Sequence, residues 1–155
     1  MLSRPVPDLA WQYNSQDILK HNSRYYFVTV DHYSDFFEFE ATKWVSSDKS
    51  HRQWPHFISE AYTQFAKLWN FQHVTSSPYF SQSNGRAEVA VKSTKHLLKT
   101  CSDPLLGLLH LRNTPTKGNT YSPVQRLMGR RTRTLMPITS VLLYPITVSP
   151  ARSES

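Results

Sequence analysis

Apolar and polar residues change their rhythm several times along this chain, and each change marks an element. Arg24 to Asp31, RYYFVTVD, is rich in aromatic and β-branched residues and predicts a buried strand. Phe36 to Phe39, FFEF, predicts another after the turn-like His32-Tyr33-Ser34-Asp35. Ahead of both, Leu9 to Ile18, LAWQYNSQDI, mixes apolar and polar positions and predicts a short first strand with Asp17 at its end. Three strands joined by short turns predict an antiparallel meander. Ser59 to Trp69 opens on a serine cap and sets Tyr62, Phe65, Ala66 and Trp69 at helical spacing. Phe71 to Thr75 fits a short strand. Asn84-Gly85 then supplies a break, and Arg86 to Cys101, free of Pro and Gly, predicts a helix. On that helix Ala87, Val91, Thr94, Leu98 and Cys101 form an apolar stripe. At about 100° per residue, Glu88, Lys92, Lys95 and Lys99 share a neighbouring narrow arc. Ser122-Pro123 is a cap and first-turn pair for a short helix through Met128, stopped by Gly129. Periodicity by itself supports a mixed α/β or α+β domain.

Length and composition narrow the class. A chain of 155 residues is one domain's worth, and 39% hydrophobic residues with 13% aromatics argue for a globular fold. No apolar run approaches a membrane span, and the first residues do not form a basic-then-apolar leader, so no membrane partner is expected. Cys101 is the one cysteine, which excludes an internal disulfide, and the seven histidines show no paired zinc spacing. The formal net charge is +7, unevenly spread: Arg86 to Arg133 holds ten Lys/Arg against Glu88 and Asp103, leaving −1 for everything else. Such concentration on one helix and its following loops suits a polyanion, with Arg130, Arg131 and Arg133 a phosphate-seeking cluster. A merely solvated basic surface is the plain alternative.

A carboxylate leading a ladder of lysines can place a metal ligand beside a phosphate-binding rail. It can equally be a surface ion pair between Glu88 and Lys92. From the residues alone, Asp17 and Asp31 read as turn or cap residues.

The wording of Ser76 to Lys95, SSPYFSQSNGRAEVAVKSTK, adds more. It resembles the third acidic motif of retroviral and gypsy-type retrotransposon integrases, where a Pro-Tyr turn and a Gln-x-x-Gly loop precede the catalytic glutamate. The block VDHYSDF and the later Arg-Asn-Thr-Pro and Ser-Pro-x-x-x-Leu-x-Gly blocks resemble the same family, from roughly Trp11 to Pro137. The resemblance implies a ribonuclease-H-like mixed sheet with flanking helices over residues 1–137. Beyond Pro137, Pro145, Pro150 and a Ser-rich end read as a frayed, disordered tail over 138–155. It implies a catalytic carboxylate set holding Mg2+ or Mn2+, with Asp17 and Glu88 as members. Asp31 is the alternative to Asp17, though its Asp-x-x-Ser pattern reads as a turn. Lys92 and Lys95 take the family's DNA-contact role, with Lys99 extending the rail. DNA as partner, a homo-oligomeric state and a nuclear location follow from the resemblance, a cytoplasmic location being the alternative. No small-molecule substrate is implied. The zinc module that usually precedes such cores is not matched.

The chain departs from the family at its second acidic motif, Asp-Asn-Gly-x-x-Phe. Thirty-six positions before Glu88 stands Arg52, within Arg52-Gln53-Trp54-Pro55-His56-Phe57. Ala41 to His51 is also too short for both a helix and a strand at rises of about 1.5 and 3.3 Å per residue. The fold is therefore expected to be incomplete between the third strand and this motif, with 41–56 aberrant. Codons for Asp-Asn-Gly read one base early encode Arg-Gln-Trp, so a missing nucleotide near Pro55 or a wrong exon join accounts for the text; divergence with a deletion is the alternative. Asp48 is then accidental. Three readings stay open: an integrase-core relic inactive as encoded, a non-catalytic basic nucleic-acid-binding module, and a pseudogene product without function.

Overall fold

A computed structural model describes residues 7–41, 67–68, 72–73 and 81–148. Strands β1 (Tyr13–His21), β2 (Arg24–Asp31) and β3 (Phe37–Ala41) form the antiparallel meander, and β4 (Gln72–His73) adds in parallel to the far side of β1, giving the order β3-β2-β1-β4. The first strand begins later than its sequence suggests and extends three residues further, to His21, so Asp17 lies inside it, opposite Val28 of β2. The extension follows from the hairpin. Asn22 and Ser23 both take positive φ, 47° and 62°, the pattern of a two-residue turn whose twist matches that of the paired strands. Lys67 and Leu68 are helical, within the segment expected as a helix; the remainder of that helix lies outside the described residues. So do 42–56, with Asp48 and Arg52.

Helix α1 (Ser81–Thr100) covers one face of the sheet. It begins five residues before the expected start and runs through Gly85, whose surroundings leave open space within 4 Å of a Cβ. Glycine inside a helix costs roughly 1 kcal/mol relative to Ala, less than the packing of a long helix supplies. Leu19, Val28, Val30 and Ala90 form the buried centre, with Tyr26, Phe37, Phe39, Val91 and Leu98 packed around it. Alternation along β2 and β3 accounts for this: Tyr26, Val28 and Val30 face the helix, and Glu38 and Glu40 are exposed. The helix stripe is broader than the predicted one. Ala90 and Leu97 are buried with Ala87 and Thr94, and small residues at 87 and 90 let the helix approach the strands.

Helix α2 (Pro104–Asn113) is capped by Asp103, whose carboxylate accepts from the amides of Leu105 and Leu106. Gly107 lies where α2 meets α1, and a Cβ there would stand 2.6 Å from Leu97 Cδ2. Helix α3 (Pro123–Met128) carries the expected ends: Ser122 and Gln125 form a reciprocal capping box, and Gly129 closes the helix at φ 69°. Of the stretch expected as a frayed tail, residues 138–148 are described. They form a 3-10 turn at Ser140–Leu143 and bond back to Gly129 and Arg131, because these main-chain groups supply partners that periodicity cannot reveal.

Candidate metal and nucleic-acid site

Three acidic residues of the first strands and their turn differ sharply in their surroundings. Asp31 ends β2 and is fully buried. Its Oδ1 accepts from the amides of Trp11 at 2.8 Å and Tyr33 at 3.2 Å, and its Oδ2 from the Ser34 amide at 3.0 Å and hydroxyl at 2.6 Å. Four donors occupy this carboxylate, so it builds the β2–β3 turn and pins the chain's entry to β1. Asp17 is half-buried. By alternation it shares the α1-facing side of β1 with Leu19, and its Oδ1 accepts the Ile18 amide at 2.8 Å.

Asp35 follows the turn at φ 57°, a left-handed conformation that Asp tolerates better than most residues. Its two oxygens take different partners: Arg86 Nη1 donates to Oδ1 at 2.6 Å, and Arg126 Nη1 to Oδ2 at 3.0 Å. Arg86 also donates to the His32 carbonyl at 2.6 Å. One carboxylate thus joins the β2–β3 turn, the start of α1 and α3. Beside it, Arg112 of α2 donates to the Phe37 carbonyl through Nε and Nη2, at 3.1 and 2.8 Å, with its guanidinium 4.1 Å above the Phe36 ring. Burial pushes the Arg112 pKa below its ordinary value, and the Glu38 carboxylate partly opposes this. No sequence signal points to Asp35, Arg86 and Arg126 as a group, since the arginines lie 51 and 91 residues from the aspartate.

The opposite flank of α1 carries the predicted arc. Glu88, Lys92, Lys95 and Lys99 are all exposed. Among the described residues no ion pair involves any of them, so the plain reading of a Glu88–Lys92 bridge is not what the geometry contains. Arg130 and Arg133 are exposed as well, whereas Arg131 is half-buried and its Nε has no hydrogen-bond partner. The rail and the arginine loop are separate in sequence and both open to solvent.

Asp17 and Glu88 lie on elements that pack together, β1 and α1. Oxygen donors of this type suit a hard divalent cation. Among the described residues, however, no group of three or more His, Cys, Asp or Glu side chains could hold a metal ion. With Asp31 occupied by four donors, Asp17 and Glu88 are the candidates left among the described residues, and two carboxylates do not fit a two-ion centre. No described helix is long and apolar enough to cross a membrane.

Solved structures provide an independent comparison. The catalytic core domain of bovine immunodeficiency virus (BIV) integrase matches with a TM-score of 0.51 at 15% identity, over 76% of this chain and 93% of that one. A chain of the simian T-cell lymphotropic virus intasome, solved in complex with the PP2A regulatory subunit B56 gamma, matches with a TM-score of 0.56 at 19% identity. That match covers 96% of this chain but 63% of the other, so the protein spans under two thirds of its length. No family model and no curated protein matches the sequence.

Proposed function

We propose that this protein derives from a retroelement integrase core, that it binds DNA through an exposed basic face, and that it does not join DNA as encoded. Its integrase-like, ribonuclease-H-type fold, an antiparallel meander extended by a parallel strand with helices packed against it, supports the first part. The observation that carries the proposal is the division of α1. Ala87, Ala90, Thr94 and Leu97 are buried, while Glu88, Lys92, Lys95 and Lys99 are exposed and take part in no ion pair among the described residues. A rigid helix holding three such lysines meets phosphates without breaking any described ion pair. Arg130 and Arg133 extend the positive surface. Binding of this kind releases counterions and reads little sequence.

Asp17 and Glu88 are the residues that would hold Mg2+ or Mn2+ in this reading, one ion and weakly. Phosphoryl transfer by paired ions needs carboxylates that bridge both, activating the nucleophile and stabilising the leaving oxygen. Arg52 stands in the sequence at the position of the family's bridging aspartate, and a guanidinium there repels cations. This is the basis for inactivity. Homo-oligomerisation and a nuclear location belong to the same proposal and rest on the integrase likeness.

The test is a pair of assays on the purified chain. Fluorescence anisotropy with a short DNA duplex, repeated across salt concentrations, should show binding that weakens steeply as salt rises and changes little between sequences. Strand-transfer assays with Mg2+ and with Mn2+ should give no joined product. Salt-insensitive or absent binding would remove the nucleic-acid reading, and metal-dependent joining would remove the inactivity.

A further inference from the structure

The segment after Pro137 is attached by main-chain bonds more than by burial. The Ile146 amide donates to the Gly129 carbonyl at 2.6 Å, and the Arg131 amide donates to the Leu142 carbonyl at 3.0 Å. Residues 139–146 therefore lie as a strap along 129–131. Its side chains offer little anchorage: Val141 and Tyr144 are 72% and 67% exposed, and Ile146 is 44% exposed. Gly129 is required twice over. Its φ of 69° disfavours a side chain, and a Cβ would stand 2.7 Å from the Ile146 carbonyl oxygen.

A second clamp closes the other end of the arginine loop. Asn113, at the end of α2, donates through Nδ2 to the Thr132 hydroxyl at 2.7 Å and accepts the Thr132 amide at 2.9 Å. Between the clamps Arg131 is turned partly inward and Arg130 is exposed; Arg133, the residue directly after the second clamp, is exposed too. Three arginines within four positions repel one another, and an untethered loop would spread them over many conformations. Clamping limits that spread before any ligand arrives, so less conformational freedom is lost on binding.

We infer that residues 139–146 are a positioning strap, which fixes the main chain at Gly129 and Arg131 so that Arg130 and Arg133 are presented together to two phosphates of a nucleic-acid backbone. The inference rests on the DNA-binding reading above. Gly129 and Ile146 are its positioning residues, acting through the arginines without touching the ligand.

The full chain serves for the experiment, with Gly129→Ala to push the strap away and Ile146→Pro to remove its donor without touching the α3 cap. Each variant should bind a DNA duplex several-fold more weakly than the parent. The slope of log affinity against log salt should flatten by up to about 1.8, from about 0.9 for each of the two phosphates that the arginines would no longer neutralise. In a background of Arg130→Ala with Arg133→Ala, the same two substitutions should cause no further loss of affinity. Hydrogen exchange without DNA should show protected Arg131 and Ile146 amides in the parent; the Arg131 amide should lose protection in both variants, and the Ile146 amide in Gly129→Ala. Protection of β1 and β2 should persist in both. A further loss of affinity in the double-arginine background would mean that the strap supports the fold in general, and overturns the inference. DNA binding by the parent that neither variant changes overturns the strap alone, whereas no DNA binding by the parent overturns the nucleic-acid reading and the arginine pair with it.

Discussion

Arg86 and Lys92 stand six positions apart on one helix, yet their charges serve opposite ends. Arg86 turns toward the β2–β3 turn and meets Asp35, which Arg126 approaches from α3 with a side chain only 4% exposed. Lys92, Lys95 and Lys99 are exposed to solvent on the other flank and pair with no described carboxylate. The difference lies in geometry and chemistry together. A guanidinium offers several donors in a fixed plane, so it can satisfy a carboxylate and a carbonyl at once, as Arg86 does with Asp35 and His32. A lysine is a compact, strongly hydrated charge on a flexible stem, suited to a ligand whose phosphates need not be met in one geometry. Net positive charge in a sequence window therefore overstates what is free for a partner, because two of the ten basic residues between Arg86 and Arg133 are committed to Asp35.

The comparison breaks most severely at Asp35. Asp35→Ala leaves the buried Arg126 without its acceptor, and its Nε and Nη2 already lack partners. Removing one member of a buried ion pair costs roughly 3–5 kcal/mol, and the part-exposed Arg86 recovers some of its share from water. Thermal or urea unfolding should show a destabilisation of about this size. Asp35→Asn should be milder, since Asn also tolerates the left-handed conformation and keeps an acceptor oxygen. Equal effects of the two substitutions would mean that the retained acceptor oxygen is immaterial, and an Asp35→Asn variant as stable as the parent would mean that the charge is.

A smaller effect on the fold, and a larger one on binding, is expected at the exposed flank. Lys92→Ala with Lys95→Ala should change stability by no more than about 0.5 kcal/mol, as surface substitutions usually do. DNA affinity should fall, and the salt slope should flatten by somewhat under two units, at about 0.9 for each phosphate neutralised. Unchanged affinity together with lower stability would reverse the two flanks' assignments. Glu88→Gln should give the smallest change. It removes a like charge from the side of the rail that faces phosphate, so affinity should rise, by no more than about fivefold for ~1 kcal/mol between unit charges 4 Å apart in water. A fall in Mg2+-dependent binding with that variant would instead give Glu88 a metal-holding part.

Much of the site was legible because its signals are local. Glu88, Lys92, Lys95 and Lys99 share one arc by helical geometry alone, and the Ser122-Pro123 to Gly129 pattern contains both ends of α3 within eight residues. The preference for Asp17 over Asp31 comes from the family resemblance. What the structure adds is the chemistry: Asp31 is surrounded by four donors, one from Trp11, twenty residues away. The Asp-x-x-Ser spacing in VDHYSDF does mark Asp31 as a turn residue, but nothing in that block says that Asp35 accepts two guanidiniums.

The chain's own pattern determined the meander, the long basic helix and the caps of its shortest helix, since alternation, periodicity and turn chemistry act between neighbours. Tertiary structure decided everything that depends on which distant groups meet. It rotated the buried stripe of α1 to include Ala90 and Leu97, extended that helix back through Gly85, and gave Asp35 its two arginines. It also tied residues 139–146 to Gly129 and Arg131, where the prolines and the Ser-rich end read as a frayed tail. Main-chain donors and acceptors are the same in every residue, so the side-chain pattern cannot say which of them will pair across the fold.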